Sequence, residues 1–463
     1  MFRIFRHYIP KTLLMLGIAE AVILLVSVYI GITLRVINSG NSSLAASTVF
    51  PKALVFTAVM VALMTATGLY QRDLREGPRA ILLRLGLSFF AGLLVMLAVY
   101  AINPDLFVDG GTLGIALVAS FLGIASCRFL CIPRTNTRLS RRVLILGVGN
   151  RARSIANLRR RADRQGVTIV GFVDLGTDPR AVQGRTILTV RTSLFDLADK
   201  HEVDEIVVAL DERRNRLPLH QILECKMKGV RVIEESAYLE RQLGKIRLDS
   251  LQPSTVVFAD GFTQAVIKST GKRLFDILVS LLLLILASPI MLAVAVAIAI
   301  ESRGRGPVFY SQERVGLGAR AFRVHKFRSM CVDAERDGVA QWAKKNDDRV
   351  TTVGRLIRST RIDELPQLFN VLKGDMSFVG PRPERPQFVK ELAEQIPYFD
   401  LRHHVKPGMT GWAQVCYPYG ASIEDAREKL QYDLYYLKNY SLFLDTMIIF
   451  QTLQVVLWGK GSR

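Results

Sequence analysis

The chain has 463 residues, half of them hydrophobic, and a formal net charge of +20. That pairing argues against an ordinary soluble enzyme and for apolar membrane spans whose cationic flanks face anionic headgroups. Nucleic acid is the other partner such a charge suggests. No aromatic-rich RNA motif accompanies the charge, so none is expected. The five cysteines are scattered and odd in number, which excludes a disulfide framework and fits a reducing compartment.

Four apolar runs, at about 12–34, 49–70, 80–102 and 112–132, each approach the ~20 residues that cross a bilayer. Arg3, Arg6 and Lys11 precede the first run, Arg72, Arg75 and Arg79 sit between the second and third, and Arg134, Arg138, Arg141 and Arg142 follow the fourth. The loop after the first run has no Lys or Arg, and the loop after the third carries only two Asp. The positive-inside bias therefore puts both ends of a four-helix bundle (1–135) in the cytoplasm. Arg84 lies near a span end and is expected to snorkel. Glu20 is the one ionisable residue expected deep in a span and faces the bundle interior. The bundle reads as an anchor or a dimer surface, which leaves a homodimer open.

Residues 140–250 read as a Rossmann-like α/β domain. Arg142 to Ala152 (RVLILGVGNRA) is a buried strand entering a glycine turn and a helix, with Gly147 and Gly149 in a G-x-G-x-x-A pattern. A second strand at 167–173 ends at Asp174, where a ribose-binding acid belongs. Further parallel strands are expected at 206–210 and 230–233, with a helix at 217–228 between them. Two readings stay open: a nucleotide pocket, or a spacer whose glycines only make the turn. Arg151, Arg153, Arg159, Arg160 and Arg161 make the first helix strongly basic. Residues 251–270 read as a linker with a short strand.

Residues 271–300 are apolar but for Lys272, Arg273, Asp276, Ser280 and Ser288, with Pro289 near the centre. Pro removes a backbone bond and bends a helix, and the Ser288 hydroxyl is placed to bond a carbonyl that Pro289 frees. Basic residues flank both ends, so both ends favour the cytoplasmic side. A re-entrant helix bent at Ser288-Pro289 satisfies both facts. The alternative is a Pro-kinked transmembrane helix, which would put the rest of the chain outside.

In the segment 301–463 the chemistry concentrates between Arg355 and Arg385. Asp363 and Glu364 are adjacent carboxylates followed by Leu365-Pro366, and Asp363 reads as the N-cap of a helix running to about Leu372 and stopped by Lys373-Gly374. A carboxylate at a helix start stays ionised, as a nucleophile or a hard-metal ligand must. Arg355, Arg358, Arg361, Arg382 and Arg385 exceed what two carboxylates balance, which implies an anionic ligand, and guanidinium forks suit phosphate. Arg314, Lys326 and Arg328 lie in short strand-like runs that add cations. Residues 333–348 read as a polar surface loop. Tyr432, Tyr435, Tyr436 and Tyr440 recur at helical spacing as a packed or interfacial face. The stretch from Leu442 to Trp458 reads as an interfacial helix. His403 and His404 have no partner at zinc spacing and read as structural or phosphate-binding.

The order of motifs KRLFD (272–276), Ser288-Pro289, GPVFYSQERVG (306–316), FRVHKFRSM (322–330), DELPQLFNVLKGDMSFVGPRP (363–383) and LRHHVKPGMTGWAQV (401–415) resembles the bacterial polyprenyl-phosphate sugar-1-phosphate transferase family. The likeness covers roughly the last 190 residues, and with four spans and a Rossmann-like domain the chain resembles the family's large form. The run 417–461 is similar to the branch associated with exosortase and exopolysaccharide clusters. The resemblance implies a small α/β catalytic domain on a re-entrant helix, cytoplasmic at the bacterial inner membrane. It implies that Asp363 attacks the sugar-bearing phosphate of a UDP-sugar, releasing UMP, and that polyprenyl (undecaprenyl) phosphate then takes the phosphosugar from the aspartyl intermediate. Asp363 and Glu364 would hold Mg²⁺, and Arg358 and Arg382 match phosphate-binding positions, with Lys326, Arg328 and Arg314 as further candidates. Two rivals stand beside it. A nucleotide-dependent oxidoreductase on Gly147–Ala152 would need a Tyr-x-x-x-Lys in the same domain, and none is there. A non-catalytic membrane sensor would keep its function without Asp363.

Overall fold

The computed structural model describes residues 2–4, 7–9, 11–39, 46–70, 78–131, 140–158, 163, 166–176, 178–190, 193–212, 217–251, 262, 266–331, 348–417, 420 and 422–458. The expected linker strand, the polar loop at 333–348 up to residue 347, Arg159 to Arg161 and the loop cations Arg72, Arg75, Arg134 and Arg138 lie outside these residues. The chain divides into two compact units, one of Met1–Ile4 with Tyr8–Leu243 and one of Phe5–His7 with Gly244–Arg463.

In the first unit, α1 (Lys11–Ser39), α2 (Ala46–Ala66), α3 (Pro78–Ile102) and α4 (Gly110–Ser126, continued by a π turn Cys127–Cys131) are apolar nearly all round. Each carries a stretch long and apolar enough to cross a membrane. Helices α1 and α3 each pack against both α2 and α4, around a core of Leu24, Phe56, Met60, Leu85, Met96 and Ile124. The charges within this apolar shell differ from expectation. Arg84 does not snorkel: it is 2% exposed and donates to the carbonyls of Thr67 and Gly68 that end α2. Arg128, which sequence reading passed over, meets buried Glu20. Its Nε stands 2.6 Å from Glu20 Oε1 and its NH2 donates to Oε2 at 2.9 Å, while the Tyr70 hydroxyl donates to Oε2 at 2.6 Å. A lone charge in hydrocarbon is costly, so each is neutralised or bonded inside the bundle.

The same unit holds a five-stranded parallel sheet, β1 (Arg141–Leu146), β2 (Val167–Asp174), β3 (Ile187–Thr189), β4 (Glu205–Val208) and β5 (Arg231–Glu234), in the order β3-β2-β1-β4-β5. Alternation along β1 divides its side chains between two cores. Val143 and Ile145 face α5 (Asn150–Ala156) and α8 (Glu235–Leu243), and Leu144 and Leu146 face α6 (Leu194–Lys200) and α7 (Leu219–Met227). That burial on both faces explains why the strands read as unbroken apolar runs. The short edge strand β3 carried too little pattern to be seen in the sequence.

The second unit begins with α9 (Val266–Glu301), a helix continuous through Ser288-Pro289. Pro289 cannot donate to the carbonyl four residues back, and the Ser288 hydroxyl bonds that same Ile285 carbonyl at 2.9 Å. One face of α9 is exposed and apolar (Leu274, Leu278, Leu282, Ile285, Leu292, Ile300). Its other face packs on the core of this unit from Val279 to Ile298. Both ends are pinned to that domain: Asp276 accepts from the Ser377 hydroxyl and the Phe378 amide, each at 3.1 Å, and Glu301 accepts from the Val353 amide at 3.0 Å.

An antiparallel hairpin of β6 (Phe309–Val315) and β7 (Ala321–Phe327) follows, then α10 (Thr352–Ser359), a 3-10 turn (Ile362–Glu364) and α11 (Gln367–Lys373). Beyond them come β8 (Ser377–Val379), α12 (Pro386–Gln395), β9 (Gly408–Thr410), α13 (Trp412–Cys416), α14 (Ile423–Asn439) and α15 (Leu442–Trp458). β8 and β9 pair in parallel, so the 380–383 loop lies directly on the 406–411 segment. Gly380 and Gly408 permit this: a Cβ on either would collide with the other strand's backbone. The tyrosines of α14 are core residues, with Tyr435 and Tyr436 each 1% exposed. The α15 helix packs into the same core through Leu444 and Ile448, so its inner face is a domain-core face rather than a purely interfacial one.

Candidate active site

Asp363 is not a helix cap. Arg361 takes a left-handed conformation (φ 57°) that turns the chain out of α10 into the 3-10 turn Ile362–Glu364, and α11 starts only at Gln367 behind Pro366. The Pro at 366 fixes the start of α11 at that point, leaving the two carboxylates on the preceding turn. The helix end is as expected: Lys373 is last and Gly374 follows at φ 101°.

The two adjacent carboxylates are treated differently. Glu364 Oε1 accepts from Lys326 Nζ at 3.0 Å and from Arg382 NH2 at 2.8 Å. Asp363 has no hydrogen bond or ion pair among the described residues. Burial works against ionising Glu364, but Arg382, Lys326 and Arg361 together outweigh it and hold its carboxyl well below the usual range. Burial raises the Asp363 pKa, Lys326, Arg358 and Arg382 oppose the rise, and the Glu364 charge reinforces it. The clamped Glu364 is the stronger acid of the pair and Asp363 the more basic carboxylate. Lys326 reaches the pair because β7 is tied to α11 through Asn370, whose Oδ1 accepts from the His325 amide (3.0 Å) and whose Nδ2 donates to Arg323 O (2.7 Å).

The remaining candidates fall into two groups. Arg358 and Arg382 stand close enough to act on the pair. Arg314 bonds Gln312 Oε1 and the Pro383 carbonyl, beside Glu384; burial and then the neighbouring Arg382 and Arg385 lower its pKa to about 10 against the pull of Glu384. It braces the loop that carries Arg382. Arg328 is not brought to the pair: it is 9% exposed and its guanidinium donates to Arg305 O at 3.4 Å. Arg355 is exposed on α10. His403 is buried, and burial and then Arg402 push its pKa down to about 4, so at neutral pH it is an uncharged packing residue against Phe399.

Sequence reading missed Arg402. It is buried, pairs with Asp433 of α14 at 2.9 Å and donates to Arg382 O at 2.9 Å, fixing the backbone of a site residue. Its signal was an arginine inside an otherwise packed motif, overshadowed by the adjacent histidines. Asn370, a polar residue within an apolar helix, gave a similar signal.

For a metal, the donors on offer are Asp363 and the Glu364 oxygen not taken by Lys326 and Arg382. Among the described residues no group of three His, Cys, Asp or Glu side chains stands together. That set fits Mg²⁺, which keeps waters and substrate phosphates as ligands and takes one or two protein carboxylates.

At the glycine turn of the sheet domain, Gly147 has φ 124° and supplies the sharp bend. The amides at the start of α5 are already occupied: Asp211 accepts from Asn150 N at 2.7 Å and from Arg151 N at 2.8 Å, and a Cβ at Gly149 would strike that carboxylate. Asp174 is held by the Gly176 amide and Arg180, each at 2.8 Å. A phosphate entering here would have to displace an internal anion from the same donors.

Residues 267–459 match the family described as bacterial sugar transferase, and residues 65–233 match one described as a CoA-binding domain. A UDP-N-acetylgalactosamine-undecaprenyl-phosphate N-acetylgalactosaminephosphotransferase of Aeromonas hydrophila is 45% identical over 242 residues, covering 52% of this chain and 56% of that protein. A UDP-glucose:undecaprenyl-phosphate glucose-1-phosphate transferase of Xanthomonas campestris pv. campestris is 31% identical over 396 residues, covering 81% and 80%. An undecaprenyl-phosphate galactose phosphotransferase of Salmonella typhimurium is 31% identical over 340 residues, covering 70% and 69%. With the motif order and the clamped carboxylate pair, these define a membrane-associated transferase. The chain belongs to the polyprenyl-phosphate sugar-1-phosphate transferase family.

Proposed function

We propose that this enzyme transfers a sugar-1-phosphate from a UDP-sugar to undecaprenyl phosphate in two displacements at Asp363, as the first step of an exopolysaccharide. The observation that carries the reading is the division of labour in the pair: two cations clamp Glu364, while Asp363 is left without a hydrogen bond and made more basic by its surroundings. A carboxylate nucleophile needs a free lone pair, which Asp363 keeps while Glu364 takes the two cations. An Asp363 oxygen attacks the sugar-bearing phosphorus. The bond from that phosphorus to the bridging oxygen breaks, and UMP leaves with the electron pair. The aspartyl phosphosugar is then attacked at phosphorus by an oxygen of undecaprenyl phosphate, which regenerates the carboxylate. Arg358, Arg382 and Lys326, whose charges act on Asp363, would neutralise charge that accumulates on the transferred group. Asp363 and Glu364 would hold Mg²⁺, which would act as a Lewis acid and neutralise phosphate charge.

The way α9 is held supports a cytoplasmic catalytic domain at the inner membrane. Asp276 and Glu301 would lie ~37 Å apart on a straight helix, more than the ~30 Å hydrocarbon core. Both are instead bonded to one polar domain, which fits a helix that enters and returns on the same side. The donor, a soluble nucleotide sugar, is found on that side.

The test is to incubate purified protein with a donor carrying a labelled β-phosphate and no acceptor. Stoichiometric UMP release and a mass gain of one phosphosugar are expected, discharged by undecaprenyl phosphate and absent in Asp363→Asn. An Asp363→Asn variant that turns over at the parent rate ends the proposal. The identity of the sugar is read by repeating the UMP assay over a panel of UDP-sugars.

A further inference from the structure

At the far end of α11 from Asp363 lies a cavity of about 370 Å³, lined by Lys272, Arg273, Asp276, Leu317, Lys406 and Tyr440 among others. Asp363, Glu364 and Lys326 do not line it. Helix α11, seven residues or roughly 10 Å long, separates the two places.

Its cations are not equivalent. Lys272 is committed to Asp445 at 2.9 Å and Asp276 at 3.4 Å. Arg273 donates to the carbonyls of Val371 and Leu372 at the end of α11, which carry no full charge. Lys406 has no hydrogen bond or ion pair among the described residues. A side chain built at Gly374 would meet Arg273 and Lys406 at 3.4 and 3.7 Å, so the two cations converge on one spot. Among the described residues the one lining carboxylate, Asp276, already serves Lys272, Ser377 and Phe378 through a single oxygen, and Asp375, the other carboxylate acting on Lys406, is paired with Lys373 at 3.1 Å. The cavity therefore holds more positive charge than its own walls neutralise.

Its setting names the kind of anion. The exposed apolar face of α9 starts at the cavity with Leu274 and Leu278, 59% and 58% exposed. Tyr440 lies two residues before the apolar helix α15. Two apolar helices that start at one rim, with lysine and arginine between them, place that rim at headgroup depth.

We propose that this cavity binds the phosphate group of a membrane lipid, with Lys406 and Arg273 on the phosphate and the lipid chain over Leu274 and Leu278. An ammonium and a guanidinium fork are the donors such a group takes. Desolvation, followed by the Arg273 charge, lowers the Lys406 pKa, and an anion in the cavity would relieve the repulsion.

The full-length protein in detergent is titrated with dioctanoyl phosphatidic acid, dioctanoyl phosphatidylcholine and inorganic phosphate, read by native mass spectrometry. Phosphatidic acid should bind saturably, and Lys406→Ala should weaken it roughly tenfold or more, the usual effect of one charge-assisted contact. Lys406→Glu should weaken it further, with thermal unfolding unchanged in both. Asp363→Asn should bind like the parent, so a failed reaction mechanism leaves this result standing. Equal binding of phosphatidylcholine, or Lys406→Ala binding as tightly as the parent, overturns the proposal. Displacement of phosphatidic acid by an equal concentration of inorganic phosphate overturns the lipid assignment.

Discussion

Replacing Lys326 by Met removes one of the two donors to Glu364 and the largest charge opposing the rise of the Asp363 pKa. Both side chains of the Lys326–Glu364 pair are mostly buried, at 20% and 13% exposed, so screening is modest. At an effective dielectric of about 20 and a separation of roughly 6 Å, one charge acts on Asp363 with ~3 kcal/mol, equivalent to ~2 pH units. Loss of a cation makes the carboxylate harder to ionise, so the Asp363 pKa climbs further. Activity that needs the anion is present above that pKa and lost as pH falls through it. The acid limb of the pH–rate profile should therefore move up by about 1–2 pH units, with a loss that is largest on the acid side and narrows as pH rises. The assay is initial UMP release across pH with saturating acceptor. An acid limb within about 0.3 pH units of the parent, with activity lost equally at every pH, would show that Lys326 acts on substrate alone and refute this account of the pair.

Further outcomes follow from the same contacts. Arg402→Leu strands buried Asp433, whose carboxyl burial already pushes up to about 6 against the Arg402 charge. It should cost ~3 kcal/mol or more of stability, and Arg402→Leu with Asp433→Leu should restore melting temperature but not the parent KM for donor, because the Arg382 carbonyl stays unheld. In the bundle, Glu20→Gln alone should lower the melting temperature in detergent, and Glu20→Gln with Arg128→Gln should recover much of it with UMP release unchanged. His403, neutral in the fold with a pKa near 4 against ~6.5 unfolded, contributes stability that is complete above about pH 6.5 and is lost as pH falls toward 4. His403→Gln should flatten the drop in melting temperature between neutral and acid pH. Calorimetric titration of the parent with NAD or coenzyme A should give no heat, because Asp211 already fills the amides at the start of α5; in Asp211→Ala those donors are vacated.

Elements whose cause is local can be read from the residues alone. Apolar runs of membrane length, the glycine turn after a buried strand, the stop at Gly374 and the order of motifs around Asp363-Glu364 each depend on residues a few positions apart. Four of the five parallel strands of the sheet were legible for the same reason, since burial on both faces leaves a continuous apolar run. What the tertiary structure decided involves partners distant along the chain. Which carboxylate is clamped depends on Lys326 and Arg382, brought from 38 residues before and 18 after. Arg128 meets Glu20 across 108 residues, and Asp211 reaches the start of α5 from 61 residues beyond Asn150. Charges are cheap to place in a sequence and costly to bury, so their partners are chosen by the packing that removes water, and periodicity leaves no trace of that choice.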